Sequence, residues 1–433
     1  MNSNTLFDTA FLKEFYYFLM NTSTIPFLLV TFAAGYISYM ILCKTKTSKI
    51  KIFKTLFYAP AGKSQNHAIQ LGGLPLSIII LGSLFYFSSQ KNDPRFFPPN
   101  ILILSQAWAI TSLIIVLYGY LDDKIEIRAR YKLTAQFLVA IPFALKAAPI
   151  LMPNFPIITF FILAGLGIGL MNGSNLLDGL DTLTFKLSTA SYISYLLLGI
   201  FSQSYGLILS AALCMTIMAS FYSFNKEPAL IHLGEIGSSF VGFSYLLLGS
   251  LYFEKMSFVI GYRSSFAMAL IPMSLPFVEI LVSFFRRLVA GKSPFKGDRL
   301  HVHHIIRNFW EMTPSKASTV LGTLQFVTSL VGVIFAHYLY PPLAYGMMLT
   351  FQIGFYLYVG YQYWGKIDRK NTHILSTNSV KPDIFLLDIE YLSSLPDPYD
   401  SDLLPFKVSS EEEASEGRSI DLGNDEDDDI SAA

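Results

Sequence analysis

The sequence predicts an all-α integral membrane protein with about eleven transmembrane helices. Three observations carry that prediction. Of 433 residues, 52% are hydrophobic and only 14% are charged, and the mean hydropathy is +0.46, well outside the range of a soluble globular chain. Apolar runs of about 17 to 25 residues, the length that crosses a bilayer, recur along most of the chain. The conspicuous polar clusters interrupt those runs at alternate junctions, all on one side of the resulting bundle.

The elements follow in order. In residues 1–24, "TLFDTAFLKEFYYFLM" mixes apolar positions with Asp8, Lys13 and Glu14, the pattern of a helix lying in the membrane interface. It lacks the basic leading segment and small-residue cleavage site of a signal peptide. Residues 25–364 form the membrane domain, with spans predicted at 25–43, 71–89, 101–120, 133–151, 156–171, 183–200, 206–224, 237–253, 266–285, 318–337 and 341–361. All are expected to be helical, because an open sheet edge has no hydrogen-bond partners in lipid. Spans 133–151 and 183–200 carry Lys146 and Lys186, which must snorkel or face the bundle interior. Residues 365–433 form a cytoplasmic, acidic third unit. Its stretch 399–433 holds twelve acidic and two basic residues, the composition of a disordered, solvated tail with no chemistry of its own. Because the whole chain has a formal net charge of zero, the rest of it is basic, at +10. Cys43 at a membrane boundary and Cys214 inside a span suggest neither a disulfide nor a metal framework.

Lysine and arginine number eighteen in the loops of one side and five in those of the other. The first side is therefore cytoplasmic, with the N-terminus outside and the C-terminus inside. All four polar clusters share it: "GYLDDKIEIRARYK" (119–132), "NGSNLLDGLD" (172–181), "NKEPALIHLGEIGSS" (225–239) and "RRLVAGKSPFKGDRLHVHH" (286–304). A channel or alternating-access transporter is expected to keep its critical polar groups near the bilayer midplane. A one-sided set instead describes a cytoplasm-facing active-site cleft.

Each cluster suggests a chemistry. Asp122 and Asp123 end a helix, where adjacent side chains point about 100° apart, so one is expected to hold a cation or accept a proton while the other orients a neighbour. The plain alternative is an acidic pair marking a membrane exit among Lys124, Arg128 and Arg130. Asn172, Asn175, Asp178 and Asp181 recur at a strict period of three. If helical, they form a stripe suited to a hard cation, a nucleotide or both, whereas a helix cap needs only one such residue. Gly234 and Gly237 flank Glu235 in "GEIGSS" and let the backbone approach a ligand, although a turn at the membrane surface has the same composition. "DRLHVHH" gathers Asp298, Arg299, His301, His303 and His304 just after Lys292 and Lys296. That spacing suits a cationic pocket for a phosphate or sugar, with a transition-metal site and a bland basic loop as the alternatives. Together, in a membrane body, these groups describe metal-assisted phosphoryl chemistry on a lipid reactant. Asp178 and Asp181 are then expected to meet Mg²⁺ and a nucleotide.

In these motifs the chain resembles the polyprenyl-phosphate N-acetylhexosamine-1-phosphate transferases of glycosyltransferase family 4. "GYLDD" with Lys132 and Gln136, "NLLDGLD", "GEIGS" and "SPFKGDRLHVHH" stand in the family's order within residues 45–310. The His-x-His-His form is similar to the undecaprenyl-phosphate GlcNAc-1-phosphate transferase branch, which initiates O-antigen and related surface polysaccharides; the peptidoglycan branch carries three consecutive histidines. The resemblance implies transfer of a HexNAc-1-phosphate from a UDP-sugar to undecaprenyl phosphate, with release of UMP and Mg²⁺ or Mn²⁺ as cofactor. It also implies a bacterial inner-membrane location, a homodimer and no nucleic-acid partner. Carried over by position, Asp122, Asp123 and Asp178 would be catalytic, Lys132 would contact phosphate, and Glu235 and Asp178 would hold the metal. Asn172, Asn175, Asp181, Asp298, Arg299, His301, His303 and His304 would bind substrate.

The chain departs from the family pattern at several positions. Glu235 stands where Asp is usual and adds one methylene. Thr182 replaces the second glycine of the usual Asp-Gly-x-Asp-Gly. His232 occupies a place where some members have a uracil-facing Phe, and "HAIQLGG" keeps His67, Gly72 and Gly73 with no role assigned. The rival reading is a transporter or flippase of a lipid-linked or anionic substrate. It would rest on charge inside the spans, where only Lys146, Lys186 and Glu279 qualify.

Overall fold

A computed structural model describes residues 9–21, 24–47, 69–89, 94, 96–125, 127–289, 291, 293 and 300–372. Among them, every regular element is a helix. In chain order these are α1 (Thr9–Asn21), α2 (Thr24–Thr47), α3 (Gly73–Ser89), α4 (Pro99–Ile125), α5 (Ala129–Leu151), α6 (Pro156–Leu176) and α7 (Leu183–Phe201). There follow α8 (Tyr205–Asn225), α9 (Gly234–Ile260), α10 (Tyr262–Leu270), α11 (Ser274–Val289), α12 (Val302–Phe309), α13 (Pro314–Tyr338) and α14 (Pro341–Thr372). The protein is a multi-pass, all-α membrane protein. Ten of its described spans are long and apolar enough to cross a membrane, and the predicted run 71–89 forms α3, a shorter helix of 17 residues.

Helix α9 is the axis of the bundle. Its apolar stretch is enclosed throughout, against α3, α4, α5, α6, α7, α8 and α10. Small residues make that enclosure possible, since Ser238, Ser239, Ser244 and Ser250 lie buried along it and let neighbouring backbones approach. Tyrosines from α7 fasten it: Tyr192 and Ser244 share a hydrogen bond of 2.8 Å, and the Tyr195 hydroxyl donates to Tyr245 O at 3.2 Å and to Ala269 O at 2.9 Å.

The span predicted at 266–285 is broken. It runs from Tyr262 to Val289 with a 3₁₀ segment at Ile271–Met273, and Pro276, which has no N–H, leaves the Pro272 carbonyl without its i+4 donor. A buried glutamine restores that partner, and a second one braces the turn through a side chain. Gln325 Nε2 donates to Pro272 O at 2.6 Å, and Gln352 Nε2 donates to the Ser274 hydroxyl at 3.0 Å.

Helix α1 packs through Phe11 and Phe18 on Phe96 and Tyr205, and the Tyr205 hydroxyl donates to Glu14 at 3.3 Å. Lys146 is exposed on α5. Lys186, in the first turn of α7, donates to Ser315 O at 2.9 Å and to the Thr319 hydroxyl at 2.8 Å. Helix α14 continues to Thr372, past the boundary drawn at 364, and the acidic stretch 399–433 lies outside the described residues.

Candidate active site

Alternate helix ends meet at one end of the bundle and carry the polar clusters with them. Glu235, in the first turn of α9 and 5% exposed, is the hub. Its Oε1 accepts from the Tyr118 hydroxyl of α4 at 3.0 Å and from the Ser239 hydroxyl one turn along at 3.1 Å. Its Oε2 accepts from Lys132 Nζ of α5 at 2.6 Å and from Asn175 Nδ2 of α6. Four elements of widely separated sequence thus converge on one carboxylate.

The adjacent aspartates do different work, as their angular separation predicts. Asp122 accepts from Lys132 Nζ at 3.2 Å and from the Ile127 amide at 3.0 Å, pinning the turn between α4 and α5. Asp123 aims both oxygens at the Glu235 amide, 3.1 and 3.2 Å away, and so satisfies an open donor at the N-terminus of α9. That approach requires Gly234, which has φ +70°. A Cβ there would stand 2.0 Å from Gln70 O and 2.8 Å from Asp123 Oδ2. The segment "IQLGG" runs beside this turn. Ile69 pairs in parallel with Ile231, and the amides of Gly72 and Gly73 donate to His232 O and Leu233 O at 2.9 and 2.8 Å. This gives the unassigned glycines a structural task, while His67 lies outside the described residues.

The period-three stripe is helical only in its first half. Helix α6 passes the predicted end at 171 and stops at Leu176, so Asn172 and Asn175 lie on it while Asp178 and Asp181 sit in the turns that follow. Asn172 and Gln136 hold each other through an amide pair of 2.6 and 3.3 Å. Asp178 accepts from the Thr184 hydroxyl at 2.6 Å. Removal from bulk water pushes its carboxyl up to about 7; the Thr184 hydrogen bond opposes the shift, and Asp123, Glu235 and Asp181 add to it. Asp181 accepts from the Ala229 amide at 3.0 Å, with His232 Nδ1 3.9 Å away. Burial lowers the His232 pKa against the pull of Asp181.

Thr182 explains why glycine is usual at its place. It has φ +65°, its amide donates to Asn225 Oδ1 at 2.9 Å, and its buried hydroxyl has no partner. A β-branched residue in the left-handed region is strained. Thr182→Gly is expected to raise unfolding stability by about 1 kcal/mol without loss of site geometry, as read from thermal unfolding in detergent.

The histidines adjoin this turn. His303 is 1% exposed, and neither ring nitrogen has a hydrogen bond. It lies over Gly179, where a Cβ would come within 2.1 Å of its Nε2. The glycine after Asp178 is what lets the His303 ring approach this turn. Burial, then His304 and His301, hold the His303 pKa well below the usual histidine value. His301 pairs instead with Glu279. Asp298, Arg299, Lys292 and Lys296 lie outside the described residues.

The carboxylates here offer hard oxygen atoms, the ligand type of a hard divalent cation, while Lys132 Nζ and Asn175 Nδ2 already occupy Glu235 Oε2 and Lys132 holds a positive charge between Glu235 and Asp122. Among the described residues, no three His, Cys, Asp or Glu side chains are grouped as metal ligands, either at the histidines or around Glu235. Sequence reasoning missed Tyr118, Ser239 and Thr184. Tyr118 lies one helical turn before Asp122 and Ser239 one turn after Glu235, so i, i+4 spacing from a motif acid was the available signal.

Fold and site together define a polytopic helical membrane protein that gathers acid, amide and lysine chemistry at one end of its bundle. The model of glycosyl transferase family 4 matches residues 105–252, which include Asp122, Lys132, Asn175, Asp178 and Glu235. Over 262 residues the chain is 30% identical to the undecaprenyl-phosphate α-N-acetylglucosaminyl 1-phosphate transferase of Thermotoga maritima, an alignment covering 56% of this chain and 79% of the relative. It is 26% identical over 246 residues to the probable undecaprenyl-phosphate N-acetylglucosaminyl 1-phosphate transferase of Bacillus subtilis, across 53% of this chain and 65% of the relative. It is also 26% identical over 288 residues to the phospho-N-acetylmuramoyl-pentapeptide-transferase of Staphylococcus saprophyticus, across 60% and 83%. The chain belongs to the polyprenyl-phosphate N-acetylhexosamine-1-phosphate transferase family.

Proposed function

We propose that the protein transfers a HexNAc-1-phosphate from a UDP-sugar to undecaprenyl phosphate, releasing UMP and beginning a lipid-linked glycan of the O-antigen or surface-polysaccharide kind. The observation that carries this reading is the convergence of Asp122, Lys132, Asn175 and Glu235, from four helices, at one end of an apolar bundle. The curated relatives named for undecaprenyl phosphate support the lipid acceptor. The excess of Lys and Arg on the loops of that end supports a site facing the cytoplasm from a bacterial inner membrane. A homodimer is the assembly expected from the family resemblance.

In this reaction a phosphate oxygen of the lipid attacks the β-phosphorus of the donor. A new P–O bond forms, the bond to the bridging oxygen of the α-phosphate breaks, and UMP leaves. Lys132 neutralises phosphate charge at the attack site, and the Asp122–Asp123 pair offers the base for a proton remaining on the lipid phosphate. Asn175, Asp181 and the histidines bind and orient the donor. Glu235 and Asp178 would hold Mg²⁺, which offsets phosphate charge when bound. Lys132 is the resident cation there in the described geometry.

Purified protein incubated with undecaprenyl phosphate, Mg²⁺ and a panel of UDP-sugars is expected to release UMP and form one lipid-diphosphate-sugar, detected by mass spectrometry. Chelation with EDTA is expected to stop the reaction and Mn²⁺ to restore it. Turnover unchanged by exhaustive chelation would overturn the metal assignment, and absence of product with every donor would overturn the transferase reading.

A further inference from the structure

Glu279 is the one charged group of the rival transporter reading that lies deep in a span, and the transfer reaction above does not use it. It is 1% exposed within Tyr262–Val289, where an unpaired carboxylate costs several kcal/mol. Its partner is His301: Oε1 lies 2.7 Å from His301 Nδ1 and also accepts from the Ser283 hydroxyl at 3.1 Å. Ser283 Oγ is in turn 3.4 Å from the same Nδ1. Oε2 has no hydrogen bond, and the buried Tyr356 hydroxyl lies beside this carboxylate. Leu275, Val278, Val302 and Ile306 enclose the neighbourhood in apolar packing. The membrane helix therefore presents an acid whose polar contact leads outward to the histidine cluster.

An ionised carboxylate has only lone pairs to offer, so Nδ1 of His301 carries the hydrogen. Nε2 is then the ring atom left to meet a ligand. The titratable groups around His301 are Glu279 on α11, with Arg287 about two turns further along that helix, Tyr356 on α14, and His303 and His304 on α12. Helix α13 contributes the apolar Ala317 and Leu321. His303 stacks parallel to His301 with ring centroids 5.9 Å apart.

We propose that Glu279 is a positioning residue of the sugar-phosphate transfer: through Nδ1 it orients the His301 ring, so that Nε2 is presented to the nucleoside-diphosphate donor. This rests on the transferase reading above. It turns an apparent transport charge into the support of a substrate-binding histidine.

The test uses the full chain in nanodiscs, with UMP release followed and kcat and KM resolved separately. Glu279→Gln is expected to lower kcat/KM by roughly 10- to 100-fold, the range seen for carboxylates that orient metal-ligating histidines. His301→Ala is expected to cost as much, and adding Glu279→Gln to it to cost nothing more. Glu279→Asp, which keeps the charge, is expected to recover part of the activity. Wild-type kcat/KM in Glu279→Gln, or losses that multiply in the double variant, overturns the proposal while leaving the transferase reading intact. No UMP release from the wild type overturns both. If Glu279→Gln does not fold, ¹⁵N-histidine NMR of the wild type decides: the His301 signal, identified by its loss in His301→Ala, is expected to report a protonated Nδ1, and an Nε2–H-only ring overturns the proposal.

Discussion

Asp178→Asn is expected to abolish transfer while the protein still inserts, folds and purifies. The substitution preserves shape, and the amide oxygen still accepts the 2.6 Å hydrogen bond from the Thr184 hydroxyl. The backbone bond from the residue 178 amide to Asn175 O is untouched. What disappears is a negative charge that Asp123, Glu235 and Asp181 all oppose, so its removal relieves repulsion. Thermal unfolding should therefore show no loss of stability. Activity responds differently, because an amide binds neither a proton nor a hard cation as a carboxylate does. UMP release is expected to fall by about 10³-fold or more. Near-normal turnover in a folded variant would sink the assignment of Asp178 to the reaction.

The two halves of that argument were unequally visible in the sequence. The spans were legible because lipid allows a spanning chain few forms: an apolar run of sufficient length becomes a helix wherever Pro and charge permit. The break at Ile271–Met273 was not placed, although Pro272 and Pro276 were in view. What makes the break tolerable is Gln325, a residue far along the chain that donates to the freed Pro272 carbonyl. Periodicity misled at Asn172, Asn175, Asp178 and Asp181. The spacing continues past Leu176, but the chain turns over Gly179 and adopts a left-handed conformation at Thr182. Side-chain spacing describes a helix only while the backbone remains one. The different work of Asp122 and Asp123 followed from geometry alone, whereas their individual partners did not. The Lys132–Glu235 contact joins residues 103 positions apart, a pairing that no local pattern encodes. Glu279 shows the middle case. An acid in a span demands a partner, and the structure supplies its identity in His301.

Lys132→Met is expected to cost both stability and activity, and a companion variant separates the two. The ammonium stands 2.6 Å from Glu235 Oε2 and 3.2 Å from Asp122 Oδ2. Methionine keeps the length and the apolar stem but leaves Glu235, whose side chain is 4% exposed, with neutral donors alone from Tyr118, Ser239 and Asn175. Breaking a fully buried pair from one side costs about 3–5 kcal/mol; with the Lys132 side chain 18% exposed and water within reach, about 2–3 kcal/mol is expected here. The loss should appear as a lowered thermal midpoint. UMP release should fall by about 10³-fold if, as proposed, the lysine charge neutralises the phosphates. Arginine is not a substitute, since its planar fork replaces a compact point charge between two carboxylates. Adding Glu235→Gln removes the stranded charge. The double variant is then expected to regain most of the lost stability, as replacing both members of a buried pair commonly does, yet to stay inactive. Stability regained without activity would mean that this ion pair is maintained for chemistry and not for folding. Lys132→Met with wild-type stability and turnover would remove the lysine from both roles and leave the convergence on Glu235 without a function.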